Sequence, residues 1–119
     1  MSKSILKDKS FLFAIRVVNL YKVITETKKE FVMSKQIYRS GTAIGALIRE
    51  AQNAESKLDF IHKLGIAQKE CDETMYWLEL LKATSFISEK EFESISKDNL
   101  ELLKMLKSSI LTTKKSLKK

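Results

Sequence analysis

Apolar residues in this chain recur at helical rather than strand intervals. Phe11, Ala14, Val18 and Tyr21 follow spacings of three and four, widened by Val17 and Ile24, and predict a helix from near Ser10 to about Thr27. The connector KKEFVM carries no period, and Ser34 is the candidate N-cap of a second helix whose face takes Ile37, Gly41, Ile44, Ile48 and Ala51. Ser56 and Asp59 then form an S-x-x-D box ahead of a heptad seam of Phe60, Leu64, Ala67, Cys71, Thr74, Leu78 and Leu81. Ser88 and Glu91 form an S-x-x-E box ahead of Phe92, Ile95, Leu102, Leu106 and Ile110. Long helices on short connections predict an all-α fold, an up-down-up-down antiparallel four-helix bundle. Residues 1–119 form one domain in this reading, with a basic tail at 112–119 expected to fray.

One stretch breaks the local rules. RSGTAIGALIREA (39–51) puts two glycines inside the second predicted helix, where each costs about 1 kcal/mol relative to alanine. Gly41 falls on the same side as Ile37, Ile44 and Ile48, so its expected use is packing. It would admit a neighbouring backbone or a large ring such as Phe13 or Tyr21.

Composition agrees with the pattern: there is no proline and there are only three glycines, too few turn residues for a β-rich chain. The single cysteine, Cys71, excludes an internal disulfide and a Cys-rich zinc site. The run FLFAI near the N-terminus is too short to span a bilayer and is interrupted by Arg16. A cytoplasmic protein without a membrane partner is the resulting expectation.

The net charge of +7 is unevenly placed. Residues 1–49 carry ten Lys/Arg and three acids, residues 50–101 six Lys and twelve acids, and residues 102–119 six Lys and no acid. Basic ends around an acidic middle favour a polyanionic partner. Lys35, Arg39, Thr42, Ala46, Arg49 and Asn53 form a stripe on the second helix, opposite its apolar face, and its three cations are candidate phosphate contacts. The same stripe also fits a solvated face, and Arg39 a pairing with an acid of helix three. In an up-down bundle Lys3, Lys7 and Lys9 meet Lys107, Lys114, Lys115, Lys118 and Lys119 at one pole, with only Asp8 interspersed. That cluster lacks aromatic residues for base stacking, so it would bind backbone. Asp59, Lys63, Ile66, Glu70, Glu73 and Trp77 flank the seam of helix three and are the candidate oligomer interface, or else a boundary row in a monomer with Trp77 half covered.

Chemistry is sparse. Di-iron bundles need two Glu-x-x-His motifs, whereas His62 is the only histidine and follows neither Glu70 nor Glu73 at that spacing. Cys71 sits in the seam, where a free cysteine acts as a small hydrophobe. No glycine-rich phosphate loop occurs. No catalytic residue, cofactor or metal is expected.

The segments SFLFAIRVVNLYK (10–22), KKEFVMSKQIYRSGTAIGALIREA (28–51) and SKLDFIHKLGIAQKECDETMYWLELL (56–81) resemble the four-helix bundle proteins encoded in intervening sequences of bacterial 23S rRNA genes. That family is in turn similar to the accessory variability proteins of diversity-generating retroelements, which work beside a reverse transcriptase. The resemblance implies a homopentamer with basic surfaces and an association with nucleic acid. One departure falls at 43–47, AIGAL, where the family more often reads SIGAN, so Leu47 replaces an asparagine. The expected function is non-enzymatic binding of nucleic acid, RNA rather than DNA. The alternative is an assembly module that docks an acidic partner such as a reverse transcriptase. A cationic membrane binder is the weakest reading, because the apolar faces are needed inside the bundle.

Overall fold

The computed structural model describes residues 2–118, with side chains over 5–118. Four helices follow one another: α1 (Ser2–Thr27), α2 (Met33–Gln52), α3 (Lys57–Ala83) and α4 (Glu89–Leu117). Each packs on two neighbours, α1 and α3 both lying against α2 and α4. With short loops between them this is the up-down-up-down bundle, an all-α rod of 52 × 21 × 21 Å. No strand occurs among the described residues.

Three of the four helices bury the faces that their periodicity marks. On α2 these are Ile37, Gly41, Ile44, Ile48 and Ala51, joined by Ser34 and Ser40. On α3 the heptad seam from Leu64 to Leu81 is buried throughout, with Phe60 partly covered at its start. On α4 Ile95, Leu102 and Leu106 are buried, and the gap in that series is filled by Asn99, which is also buried. Its Nδ2 donates to the Cys71 carbonyl at 3.0 Å. A second buried polar contact joins Thr74 Oγ1 to Ser40 Oγ at 2.9 Å.

Helix α1 departs from expectation in two ways. It begins at Ser2 rather than near Ser10, because Leu6 enters the core and Ser10, itself buried, donates its hydroxyl back to the Lys7 carbonyl. Its core face is also rotated: Phe13, Val17 and Ile24 are buried, whereas Phe11 is half exposed and Ala14, Val18 and Tyr21 are half-buried. Apolar residues cover most of the circumference of α1, so spacing alone underdetermines the buried side. Gly41 decides it. An ideal Cβ built on Gly41 would lie 2.7 and 2.9 Å from the two γ-methyls of Val17. The close neighbour is therefore a valine and not the expected ring of Phe13 or Tyr21.

The caps follow chemistry rather than glycine. Ser56 accepts the Asp59 N–H at 3.0 Å, and the Asp59 carboxylate takes the Glu55 N–H. Ser88 and Glu91 close a full capping box. Ser34 does not cap α2. It is buried inside the first turn, and the Glu30 carboxylate instead accepts the N–H groups of Val32, Met33 and Ser34 at 2.8–2.9 Å. At the end of α3 the Phe86 N–H bonds the Leu81 carbonyl while Ser85 sits at φ 68°, a Schellman-type stop built without glycine. α4 stays helical to Leu117, so most of the tail expected to fray is ordered. Thr113 and Ser116 are half-buried there, and Lys57 Nζ donates to Ser116 Oγ at 3.0 Å.

Two substitutions separate the roles of the glycines. Valine has essentially one rotamer in a helix, so Val17 cannot swing away from a new methyl at position 41. Gly41→Ala should therefore lower stability by about 1–2 kcal/mol, overpacking exceeding the propensity gain. In a Val17→Ala background the same change should cost much less. Gly65 has nothing within 4 Å of its ideal Cβ, and Gly65→Ala should add up to about 1 kcal/mol. Urea midpoints of the four variants check this.

Glu30 supplies a pH-dependent term. Burial would raise its pKa, but the backbone donors Met33, Ser34 and Val32 outweigh that and hold it below the ordinary 4.5. A depressed carboxylate stabilises the fold above its ordinary value, and that contribution is lost as pH falls. Glu30→Ala should cost about 1 kcal/mol at pH 7 and progressively less below pH 4.5, measured by denaturant midpoints across pH.

Candidate nucleic-acid interface

The three cations of the α2 stripe are all exposed, but they have different partners. Arg39 reaches α3, where its Nη2 donates to the Glu73 carboxylate and its Nη1 lies 3.9 Å from Glu70 Oε1. Arg49 reaches α1 instead, its guanidinium carbon 5.3 Å from the centroid of the Phe11 ring. Lys35 makes no ion pair among the described residues. Of the candidate phosphate contacts on this helix, Arg39 is thus the one already drawn to carboxylates.

The basic pole is assembled by the topology. Lys107, Lys114 and Lys115 on the last turns of α4 and Lys118 at its C-cap are exposed, and none is in an ion pair among the described residues. Lys119 and the side chain of Lys3 lie outside the described residues. Lys7 comes to the same end of the rod beside Arg49, while Lys9 is paired with Glu101 at 3.1 Å. Lys57 joins through its bond to Ser116. The stripes drawn from spacing alone omit it, since only the α2–α3 turn packing against α4 makes it a neighbour of the tail. The carboxylates at this end are Asp8, Glu50, Glu55 and Asp59, with Glu50 paired to Lys63 and Asp59 engaged in capping α3.

The α3 stripe lies on the α2 side of its helix, and its polar members are engaged within the chain. Lys63 pairs with Glu50 at 3.1 Å, Glu70 and Glu73 face Arg39, and Trp77 Nε1 donates to Glu73 Oε2 at 3.3 Å. Trp77 also packs against the core and meets Tyr76 edge-on at 5.0 Å, while Ile66 is half-buried between these pairs. Leu47, on the facing side of α2, packs against the core.

Burial pushes the Cys71 thiol up to about 12, with the Asp72 and Glu70 charges adding to it, so the sulfur stays protonated. His62 is exposed. No group of three or more His, Cys, Asp or Glu that could hold a metal occurs among the described residues. No described helix is long and apolar enough to cross a membrane.

The family model for 23S rRNA-intervening sequence protein matches residues 2–108, nearly the whole bundle. The chain belongs to that family. A crystal structure of another bundle, a protein with unknown function from the S23 ribosomal protein family of Bacteroides thetaiotaomicron, is 57% identical. The match covers 92% of this chain and 98% of that one, with a TM-score of 0.91. Among curated proteins none matches the chain. For this intervening-sequence protein the family name supplies a ribosomal-RNA context, and the residues themselves must supply the contacts.

Glu70 offers a test of the α2–α3 joint. Its Oε1 is buried without a hydrogen bond. Burial and then the Glu73 charge raise its pKa above the ordinary 4.5, against the opposing pull of Arg39. A raised carboxylate makes the folded state hold its proton more tightly than the unfolded chain, so it costs stability at neutral pH and that cost fades as pH falls. Glu70→Gln should therefore be stabilised at pH 7 by up to about 1 kcal/mol, the gain vanishing below pH 4.5. Thermal melts at both pH values measure it.

Proposed function

We propose that this is a non-enzymatic, homo-oligomeric nucleic-acid-binding bundle that holds phosphate backbone on its basic surfaces, with RNA favoured over DNA. The observation that carries the reading is the gathering of Lys7, Arg49, Lys57, Lys114, Lys115 and Lys118 at one end of the rod, none in an ion pair among the described residues. Unpaired cations on a convex end contact phosphates without reading bases and release counterions when they do. The 23S rRNA-intervening sequence family supports RNA, and a cytoplasmic setting goes with it.

Assembly is supported from a different face. Ile5, Leu12, Ile15 and Val23 lie along the outer side of α1, each between 42% and 61% exposed. An apolar strip of that length on a small protein marks a contact surface. A second copy of the chain is the occupant in this proposal, and the family resemblance suggests five subunits. The same strip favours a second reading, an assembly module that docks an acidic protein partner such as the reverse transcriptase served by the retroelement accessory proteins.

Binding to structured RNA should weaken steeply with salt. Every cation that neutralises a phosphate adds roughly 0.7–0.9 to the log–log slope. Lys114→Glu, Lys115→Glu and Lys118→Glu together should reduce that slope by roughly 2–3 and weaken all sequences alike. Fluorescence anisotropy across a salt series, with light scattering for the assembly mass, measures both. Salt-indifferent or absent binding would overturn the proposal.

A further inference from the structure

The outer groove between α1 and α2 combines groups that the basic pole lacks. Lys35, Tyr38, Thr42, Gly45 and Arg49 recur along α2 at spacings of three and four, so they line one side of it. Tyr38 is 41% exposed, with its ring tilted against Tyr21 at a centroid distance of 4.7 Å. Phe11, 52% exposed on α1, meets Arg49 from the other side. Beside Phe11 the groove opens into a hollow of about 300 Å³ lined by Ala14, Gly45 and Ala46, with Lys7 and Arg49 also against it. The floor is low because Gly45 lies against the α1 backbone. Its ideal Cβ would stand 3.4 Å from the Ser10 carbonyl oxygen.

Resting on the nucleic-acid reading, we propose that this groove is a single-strand track. Bases stack on Phe11 and Tyr38 while phosphates meet Lys7, Lys35 and Arg49. Stacking on an exposed ring needs an unpaired base, because the bases of a duplex already stack on one another. Tyr38 and Arg49 are eleven residues apart on one helix, about 16 Å of axial rise, which matches about five bases at ~3.4 Å. An acidic peptide would use the cations and leave both ring faces idle. The small floor admits a flat ring, with Lys7 and Arg49 beside it. The pole and the groove share the end of the rod at Lys7 and Arg49, so backbone held at the pole can feed directly into the groove.

The test compares a labelled eight-nucleotide single-stranded RNA with a duplex RNA of equal length, on the full chain. Phe11→Leu and Tyr38→Leu should each weaken the single strand about tenfold, with the salt slope and duplex affinity unchanged. Lys35→Ala and Arg49→Ala should each lower the slope by about 1. Ala46→Leu fills the floor from an exposed position and should weaken the single strand even if an aromatic variant folds poorly. Unchanged single-strand affinity in the leucine variants, with duplex binding intact and salt-dependent, would overturn the track and leave the backbone reading standing. Absence of all binding in the wild-type protein would remove both. A change of assembly mass in Phe11→Leu or Tyr38→Leu would assign the groove to a contact between copies and overturn the track.

Discussion

The approach of Val17 to Gly41 is the contact on which the rest of the bundle turns. With no side chain at position 41, two γ-methyls of α1 come within 2.7 and 2.9 Å of where a Cβ would stand. This draws α1 and α2 together and fixes the rotation of α1 about its own axis. Everything on the outside of α1 follows from that rotation. Phe11 falls under Arg49, Tyr21 meets Tyr38, and the strip from Ile5 to Val23 is left facing outward. The helix-propensity cost of a mid-helix glycine is about 1 kcal/mol, small beside the buried area it allows two helices to share.

Polar contacts set the remaining registers. Thr74 on Ser40 ties α3 to α2, and Asn99 on the Cys71 carbonyl ties α4 to α3. A slide of α4 by a turn would leave the Asn99 amide desolvated and unpartnered, at a cost of about 1–3 kcal/mol, whereas the Thr74 hydroxyl also donates to the Glu70 carbonyl of its own helix at 2.7 Å. Apolar seams tolerate such slips far better. The Arg39, Glu70 and Glu73 cluster adds a charged clasp at the rim of the α2–α3 joint, where solvent screening keeps its worth modest.

How much of this could be read from the chain alone differs by helix. The faces of α2 and α4 were legible because each has one apolar stripe and a polar remainder, and that of α3 because its seam repeats strictly at fours and threes from Phe60 to Leu81; the capping boxes at Ser56 and Ser88 marked the starts of α3 and α4. α1 was not, because apolar residues surround it and the choice among faces lies with Gly41 on another helix. Ser34 resembled a cap in sequence, but a carboxylate four residues earlier outcompetes its hydroxyl with three backbone donors. The basic pole was legible once the topology was assumed, although Lys57 required knowing which turn packs on the tail. The aromatic groups beside the α2 stripe were hidden for the same reason as the face of α1: Phe11 looked like core, and its pairing with Arg49 exists only across two helices. Lys63, Glu70 and Glu73 pair with Glu50 and Arg39 of the same chain, partners on a second helix that spacing along α3 does not show.

The burial of Cys71 has a use unrelated to reactivity. Its sulfur is sealed between α3 and its neighbours and held in the neutral form, while no other cysteine competes with it. A thiol-directed dye can reach it only during the moments when the helices part. The chain thus carries a built-in stopwatch for its own breathing, at the level of the seam, that needs no engineered label.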